Sequence, residues 1–244
     1  MENDFIIIIP ARFKSSRFPG KPLADIKGKS MIYRVWEKCI EAADPKKVFI
    51  ATDDQRIENH CLEKGMNVLM TSEECLTGTD RMAEVSETIK ADFYVNVQGD
   101  EPLINPLDIS KVISSYKSQP EMTHCAMTKI SSEEEFRSTN VPKVVVDHNK
   151  NLLYMSRSGI PANKEDTFSI SMKQVCIYAF PKEHLSKYGQ DKPKTPMENI
   201  EDIEILRLIE NGLPVKMVEL SNSSIAVDTP EDLQRVASLV NDKL

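Results

Sequence analysis

The sequence lacks the features that would direct it to a membrane or to a nucleic acid. Its apolar run at residues 5–9 is far too short to span a bilayer, and no basic segment precedes it. The net charge of −7 argues against DNA, RNA or an anionic membrane, because binding a polyanion needs a basic face. We therefore expect a cytoplasmic protein without a nucleic-acid or membrane partner. A small anionic ligand stays open, since it needs only a locally basic pocket.

Cysteine and histidine are too scattered to indicate a zinc site or a disulfide framework. The five cysteines are odd in number, no C-x-x-C or Cys/His pairing occurs, and the four histidines are equally dispersed. We interpret the cysteines as reduced thiols in the core or at its boundary. Repeats and low-complexity segments are also absent from the 244 residues, and 40% of them are hydrophobic, which predicts an ordinary globular core.

The first half of the chain alternates short apolar segments with helical patterns. Residues 5–9 are a continuous apolar run rich in isoleucine, which is typical of a central strand in a sheet covered on both faces. The alternation predicts an α/β fold with a doubly wound, mostly parallel sheet and right-handed crossovers. Further strands are predicted at 46–52, 66–71 and 92–97, and helices at 31–42, 55–64 and 79–89.

The pattern changes after about residue 120, where strands follow one another more closely. They are predicted at 123–130, 141–148, 152–156 and 174–180. This block indicates a smaller mixed sheet that is inserted into the first sheet or extends it.

The parallel pattern returns in the last fifth of the chain. Helical spacing predicts a helix over 197–212, with Gly212 as its C′ residue. A strand is predicted at 213–220. Thr229 as N-cap and Pro230 at the first helical position then open the last helix.

The loop at residues 10–23 is rich in cations and hydroxyl groups. It follows the first strand, at the sheet end where α/β proteins bind ligands, so it predicts an anion cradle. It is not a P-loop, because Gly20-Lys21 is followed by Pro22. An ordinary solvated loop is the alternative. The cations are Arg12, Lys14, Arg17 and Lys21, and the hydroxyls belong to Ser15 and Ser16.

A second cluster, TGTDR at residues 77–81, precedes a predicted helix. Thr79 or Asp80 is expected to cap that helix. Arg81 in its first turn is poorly placed for the helix dipole, which suggests an anionic ligand or a carboxylate partner nearby. A helix cap with a surface arginine is the alternative.

Two aspartates lie at strand-to-helix junctions far apart in the sequence. Asp100 belongs to QGDEP and Asp228 to VDTPEDL. If both junctions face the ligand side, the two carboxylates meet there, and such a pair is how proteins hold Mg²⁺ that is also bound to phosphates. A turn acid and an Asx cap are the alternatives. Glu101, which precedes Pro102, is interpreted as structural or as a support for a neighbouring site residue, and not as a metal ligand.

The order of these segments along nearly the whole chain resembles one family. The stretches are PARFKSSRFPGKPL, TGTDR, NVQGDEP, LLYMSRSGIP and VDTPEDL. Together they are highly specific to the CMP-Kdo synthetases, that is, the 3-deoxy-manno-octulosonate cytidylyltransferases. The resemblance implies a fold of the nucleotide-diphospho-sugar transferase type, in which the mixed-sheet insertion forms the sugar site and the interface of a homodimer. It divides a single domain, 1–244, into a mainly nucleotide-binding part (1–120), a sugar-binding and dimerisation part (121–195) and a C-terminal part that returns to the main sheet with a metal ligand (196–244).

The resemblance also implies a reaction and the residues that carry it. The family transfers CMP from CTP to the anomeric hydroxyl of 3-deoxy-D-manno-octulosonate (Kdo), an acidic sugar, and releases pyrophosphate in lipopolysaccharide or capsule synthesis. Mg²⁺ is the implied cofactor, with Asp100 and Asp228 as ligands. The implied catalytic residues are Lys21, Asp100 and Asp228. The implied nucleotide-binding residues are Ala11, Arg12, Ser15, Ser16 and Lys21. The implied sugar-binding residues are Arg81, Gln98, Arg157, Gln174, Tyr178 and Glu204.

The sugar half departs from the family pattern at three positions. Gln174 stands where the family has His, Cys176 where it has Gly, and Ile205 where it has Gln. An apolar residue at a hydroxyl-binding position cannot pair with a buried hydroxyl. This motivates the hypothesis of a variant acceptor, such as amino-Kdo or Kdn, beside the simpler reading of unchanged Kdo specificity.

The sequence leaves two other functions open, and it also contains one candidate for a lid. CTP-dependent transfer to a non-ulosonate acceptor is disfavoured by Arg81, Gln98 and Arg157, which suit a carboxylate. A non-catalytic nucleotide-binding module is disfavoured because both metal-binding aspartates are present. The polar segment 159–172 is either a lid or a plain linker.

Overall fold

A computed structural model describes residues 4–15, 17–190, 193–220 and 225–240. Its centre is a nine-stranded sheet, and a two-stranded ribbon accompanies it. In chain order the strands are β1 (Phe5–Ala11), β2 (Asp25–Ile26), β3 (Lys29–Ser30), β4 (Val48–Thr52), β5 (Asn67–Met70), β6 (Phe93–Val97), β7 (Thr123–Lys129), β8 (Lys143–Val146), β9 (Leu152–Ser156), β10 (Met172–Pro181) and β11 (Val215–Glu219).

Helices connect these strands and cover the sheet. They are α1 (Met31–Ala42), α2 (Gln55–Glu63), α3 (Gly78–Thr88), α4 (Pro106–Ser118), α5 (Glu133–Arg137), α6 (Lys182–Gln190), α7 (Pro196–Glu201), α8 (Leu206–Glu210) and α9 (Pro230–Leu239). No helix within the described ranges has the length and apolar character needed to cross a bilayer.

The sheet is mostly parallel, as predicted. Its order is β11-β7-β10-β6-β1-β4-β5. β1 runs parallel to β4 and β6, β4 to β5, and β7 to β11, whereas β10 is antiparallel to both of its neighbours in this path. The predicted α/β fold class is therefore confirmed. The middle block extends the main sheet through β7 and β10, and the β8–β9 hairpin branches from the edge of β10.

The isoleucine run of β1 explains why the sheet has a core on each face. Ile7 and Ile9 pack with α1, α2 and α4, whereas Ile6 and Ile8 pack with α3, α6 and α8. Successive strand residues point to opposite faces, so a strand covered on both sides must be apolar throughout. Burial of both faces fixes the register of β1, and with it the position where the loop at 10–23 leaves the sheet.

A close backbone approach explains the glycine of QGDEP. A Cβ on Gly99 would lie 2.9 Å from the carbonyl oxygen of Pro10, at the end of β1. The turn after β6 therefore passes against the end of the neighbouring strand, which carries the next residue, Asp100, to the ligand edge of the sheet.

Two predicted helix features are wrong. The helix predicted over 197–212 is two short helices, α7 and α8, because Asp202 adopts a left-handed conformation with φ of 50° between them. The cap of α3 is Thr77, not Thr79 or Asp80. The Thr77 side chain accepts a hydrogen bond from the Asp80 N–H, and the Asp80 carboxylate accepts one from the Thr77 N–H. Thr79 and Asp80 lie inside the first turn.

The predicted C-terminal glycine of α8 and the predicted N-cap of α9 are confirmed. Gly212 follows α8 with a φ of 68°, the left-handed conformation expected of a C′ glycine. Thr229 caps α9 in a capping box with Asp232, and Pro230 begins the helix. The segment before α9 is thereby fixed, and Asp228 lies in it.

Candidate active site

A large cleft lies at the edge of the sheet where the parallel strands end. Its volume is about 1040 Å³. The walls come from the loop after β1, the start of α3, the turn after β6, the start of β10, the α7–α8 turn and the segment before α9. It is lined by Ala11, Arg12, Ser15, Lys21, Arg81, Gln98, Asp100, Arg157, Gln174, Tyr178, Glu204 and Asp228. Ser16, the remaining residue implied for nucleotide binding, lies outside the described residues.

The two aspartates meet at one ammonium group. Lys21 Nζ lies 2.8 Å from Asp100 Oδ2 and 3.5 Å from Asp228 Oδ1. The backbone holds the two junctions together, because the Val227 N–H donates to the carbonyl oxygen of Asp100 at 2.9 Å. Arg17 adds a second cation, with Nη2 at 3.1 Å from Asp228 Oδ1. Both strand-to-helix junctions therefore face the ligand side.

This acid pair has the chemistry of an open Mg²⁺ site. Two carboxylate oxygens converge on a position that a cation, the Lys21 ammonium, occupies in the structure. Mg²⁺ is usually held through one or two carboxylates, with water and substrate phosphates as the other ligands. Within the described ranges no three His, Cys, Asp or Glu side chains form a group that could cage a metal. The donor set fits an ion shared with phosphates, and not a closed protein cage.

The loop after β1 places its cations unevenly. Arg12, Arg17 and Lys21 line the cleft, and Ser15 Oγ accepts a hydrogen bond from the Phe18 N–H at 3.4 Å. Lys14 pairs with Glu73 instead, at 2.8 Å, and its side chain is 82% exposed. Three of the four loop cations therefore lie in the cleft wall.

The start of α3 forms a polar wall that a carboxylate caps. Glu204 accepts hydrogen bonds from the backbone N–H groups of Gly78, at 3.1 Å, and Thr79, at 2.9 Å. Burial raises the pKa of the Glu204 carboxyl, although the hydrogen bonds from Thr79 and Gly78 act to lower it. These hydrogen bonds connect the α7–α8 segment to the first turn of α3.

Arg81 has a carboxylate partner, as its unusual position predicted. It is only 3% exposed, and Nη2 donates to Asp53 Oδ2 at 2.9 Å. Nη1 donates to Thr71 Oγ1. Asp53 follows the end of β4 and Thr71 follows the end of β5, so Arg81 joins two of the parallel strand ends to α3 in the wall of the cleft.

The wall made by β10 contains two of the positions that depart from the family pattern. Gln174 Nε2 donates to the Tyr178 hydroxyl at 2.9 Å. Cys176 lines the cleft, and burial raises the pKa of its thiol well above the ordinary value, so the thiol is neutral at pH 7. The Cys176 N–H donates to Glu101 Oε1 at 3.2 Å, and Glu101 is 4% exposed. This bond connects the turn after β6 to β10, and Glu101 also lines the cleft.

Ile205, the third position of departure, lies in the core. It is 2% exposed and packs in the cluster between the sheet, α3 and α8. Its neighbours Ile203 and Glu204 line the cleft, and Ile205 is not among the described residues of the cleft wall.

Arg157 holds the turn between α7 and α8. Its guanidinium donates to the carbonyl oxygens of Thr139, at 2.8 Å, and Asp202, at 2.9 Å. Nε donates to the carbonyl oxygen of Glu201. These bonds stabilise the left-handed Asp202 and explain why the helix predicted over 197–212 is interrupted.

The comparisons with known proteins agree with this geometry. Residues 6–220 match the cytidylyltransferase family model. A 3-deoxy-manno-octulosonate cytidylyltransferase of Escherichia coli is 37% identical, covering 98% of this chain and 97% of that protein. One of Protochlamydia amoebophila (strain UWE25) is 39% identical, covering 97% and 94%. The chain belongs to the 3-deoxy-manno-octulosonate cytidylyltransferase family. It is accordingly an enzyme, a CTP-dependent nucleotidyltransferase.

Solved structures place the fold in the same family. CMP:2-keto-3-deoxy-manno-octonic acid synthetase complexed with CTP superposes with a TM-score of 0.89 at 37% identity, covering 97% of this chain and 98% of that chain. A glucose-1-phosphate thymidylyltransferase of Bacillus anthracis, at 16% identity and a TM-score of 0.68, shares the fold alone.

A buried ionic network behind the cleft braces this cytidylyltransferase. Arg207 has a fully buried side chain, and Nε and Nη2 donate to the two carboxylate oxygens of Glu198 at 2.6 and 2.7 Å. Nη1 donates to Asp80 Oδ1 at 2.8 Å. Asp80 completes the cap of α3 and Glu198 that of α7, so Arg207 joins the elements that carry the cleft wall.

The enzyme's cleft is also lined by three cations that the sequence patterns did not indicate. Lys173 pairs with Glu135, and Lys194 pairs with Asp202 at 2.6 Å. Arg235 lies on α9. Lys194 precedes α7 in a polar connection, where no local pattern distinguishes it from an ordinary surface lysine. Arg235 is separated from the basic loop by most of the sequence.

Proposed function

We propose that this enzyme transfers CMP from CTP to the anomeric hydroxyl of Kdo and releases pyrophosphate, in lipopolysaccharide or capsule synthesis. The observation that carries the proposal is the meeting of Asp100 and Asp228 at Lys21, in a cleft that also receives Arg12 and Arg17. Phosphoryl transfer requires positioning and charge neutralisation more than covalent chemistry from the protein, so a protein nucleophile is not needed.

The basic loop is assigned to the nucleotide. CTP brings about four negative charges, which must be offset before a second anion can enter the cleft. Ala11 and Arg12 are assigned to the cytidine and phosphates, and Ser15 and Lys21 to the triphosphate. Ser16, outside the described residues, is assigned to the triphosphate by family membership alone.

Asp100 and Asp228 are assigned as the protein ligands of Mg²⁺. A bound Mg²⁺ ion would neutralise phosphate charge and lower the pKa of a hydroxyl group that it contacts. The protein's own contribution is to hold the two carboxylates together through the Val227–Asp100 backbone bond, and to supply Lys21 as a further cation for the phosphates.

The opposite wall is assigned to the acidic sugar. Gln98, Gln174 and Tyr178 offer amide and hydroxyl groups, and Arg157 and Arg81 offer positive charge near the sugar carboxylate. Glu204 is assigned to the same wall, where its bonds to Gly78 and Thr79 keep the start of α3 in place. Of these residues, Arg157, Gln174 and Tyr178 belong to the proposed sugar-binding part, 121–195, whereas Arg81 and Gln98 belong to 1–120 and Glu204 to 196–244.

The burial of Ile205 favours Kdo over a variant acceptor. An apolar side chain that packs in the core does not leave a sugar hydroxyl unpaired in the cleft. The remaining departures, Gln174 and Cys176, do line the cleft. Gln174 keeps hydrogen-bonding capacity, so the polar character of this wall is retained.

Pyrophosphate release with CTP and Mg²⁺ tests the reaction and its acceptor. Kdo is expected to give the highest kcat/KM among Kdo, amino-Kdo, Kdn and sialic acid, and mass spectrometry should identify CMP-Kdo. A modified acid with a markedly higher kcat/KM would replace Kdo as the acceptor. Release only with a sugar phosphate, and with none of the ulosonic acids, would overturn the proposal.

We also propose a homodimer that works in the cytoplasm, where CTP is made. Large apolar side chains are exposed on the middle block and α7: Leu153 at 56%, Ile170 at 67%, Met197 at 42% and Ile200 at 74%. A second copy would remove such side chains from water. Light scattering is expected to give twice the mass of one chain, and Ile200→Glu is expected to shift the protein towards monomer. A monomeric wild-type protein at micromolar concentration would contradict the dimer.

A further inference from the structure

Lys21 fills the position between the two carboxylates of the cleft. Its ammonium contacts Asp100 at 2.8 Å and Asp228 at 3.5 Å, and donates to the carbonyl oxygen of Val227 at 2.8 Å. The side chain is only 15% exposed. The ammonium is thus held by three oxygens and largely withdrawn from water.

A divalent ion on this acid pair would need the same space. Mg²⁺ lies about 2.0–2.1 Å from its oxygen ligands, so an ion bound to the two oxygens that Lys21 contacts would lie within about 5 Å of the ammonium. Two cations at such a separation repel strongly, and low exposure weakens the screening by water. The Lys21 ammonium and a divalent ion would therefore compete for the acid pair.

We propose that Lys21 closes the acid pair to divalent ions until a nucleotide arrives. This inference rests on the proposed function, in which CTP binds beside the loop at residues 10–23. The triphosphate offers the ammonium another anionic partner at the same edge of the sheet. Once Lys21 turns to the phosphates, Asp100 and Asp228 are released to the ion that the phosphates also bind. Metal thus enters with the nucleotide and not before it.

The same loop contains two other cations, which contact the acid pair less closely than Lys21 or not at all. Arg17 contacts Asp228 at 3.1 Å, but its side chain is 56% exposed, and exposed ion pairs contribute little. Lys14 is paired with Glu73 and is 82% exposed. Substitution of each removes one positive charge from one loop, so the three positions form a matched series that differs in contact with the acid pair.

Mn²⁺ binding in the absence of nucleotide tests the inference directly. Electron paramagnetic resonance of free Mn²⁺ gives the dissociation constant without any turnover. Lys21→Gln removes the charge and keeps an N–H donor for the Val227 carbonyl oxygen. We expect it to bind Mn²⁺ at least about tenfold more tightly than wild type. Arg17→Gln should give a smaller gain, and Lys14→Gln a change within about twofold.

A second substitution tests whether the tighter Mn²⁺ binding occurs at the acid pair. Asp100→Asn introduced into the Lys21→Gln protein should remove the gain. The inference is overturned if Lys21→Gln binds Mn²⁺ no more tightly than Lys14→Gln, or if the gain survives in the double variant. Circular dichroism and thermal melting verify that each protein is folded.

The result is independent of the acceptor. A wild-type enzyme that converts Kdo with Mg²⁺, together with a Lys21→Gln protein that shows no Mn²⁺ gain, would overturn the role of Lys21 and leave the proposed reaction intact. A Mn²⁺ gain in a protein that rejects Kdo would support the role of Lys21 and overturn the proposed acceptor.

Discussion

The carboxylate of Glu204 accepts a hydrogen bond from the backbone N–H of Thr79 at 2.9 Å, across the boundary between the α7–α8 segment and α3. The bond makes an acidic residue of the cleft wall part of a helix N-terminus. The charge of Glu204 therefore affects both the stability of the fold and the wall of the cleft.

Glu204→Gln should change how stability depends on pH. Because burial raises the pKa of Glu204 in the folded protein, the folded state binds more protons than the unfolded state over this range. The contribution of this group to the free energy of unfolding therefore falls as pH rises from the unfolded pKa through the raised folded pKa. In the glutamine variant, this group no longer contributes to the change of the free energy of unfolding with pH.

The check is urea unfolding of both proteins between pH 4 and 7. The free energy of unfolding of wild type minus that of Glu204→Gln should decrease as pH rises. A difference that is constant, or that grows with pH, would contradict the raised pKa. We also expect the KM for the acceptor to rise more than the KM for CTP.

Asp100→Asn and Asp228→Asn should each lower kcat by at least about 100-fold, because each removes one charged ligand proposed for Mg²⁺. Pyrophosphate release at saturating Mg²⁺ measures the loss. Glu73→Gln is the matched control, since Glu73 is exposed and its partner is Lys14. Normal turnover of either aspartate variant would refute the metal assignment.

Arg207→Met should destabilise the enzyme by about 3–5 kcal/mol, because it leaves the buried carboxylates of Glu198 and Asp80 uncompensated. Urea unfolding gives the change in the free energy of unfolding. Arg137→Met is the control: Arg137 is 39% exposed and pairs with exposed acids, so a change within about 1 kcal/mol is expected. Equal losses in the two variants would mean that burial of the network is unimportant.

Gly99→Ala should displace Asp100 from the acid pair without replacing either of the two aspartates. The new methyl group would lie 2.9 Å from the carbonyl oxygen of Pro10, so the turn that carries Asp100 must shift, at a cost of about 1–3 kcal/mol. We expect a lower melting temperature and a higher Mg²⁺ requirement for turnover. An alanine variant with wild-type Mg²⁺ dependence would show that the turn adapts without moving Asp100.

The local patterns of the sequence predict most of the sheet, because they depend on burial alone. The run at residues 5–9 can only be a strand covered on both faces, and β1, β4, β5 and β6 all lie within one or two residues of the predicted strands. The meeting of Asp100 and Asp228 was predicted conditionally, from the rule that parallel strands end at one edge.

Contacts between residues far apart in the sequence account for the wrong helix prediction over 197–212 and for the position of Ile205. The spacing of apolar residues between Ile200 and Ile209 suits a continuous helix, but Arg157 binds the carbonyl oxygens of Glu201 and Asp202 and ends α7 there. The same break places Ile205 in the core, although the family motif had indicated a sugar contact. No pattern within 197–212 contains this information.

The bond from the Val227 N–H to the carbonyl oxygen of Asp100 has a consequence for biosynthesis. During translation Asp100 leaves the ribosome long before Asp228, so an emerging chain has the basic loop and one acid but not the pair. The acid pair forms only when the segment before α9 docks on the turn after β6. A chain shortened before Val227 lacks both this bond and Asp228, so it cannot form the acid pair.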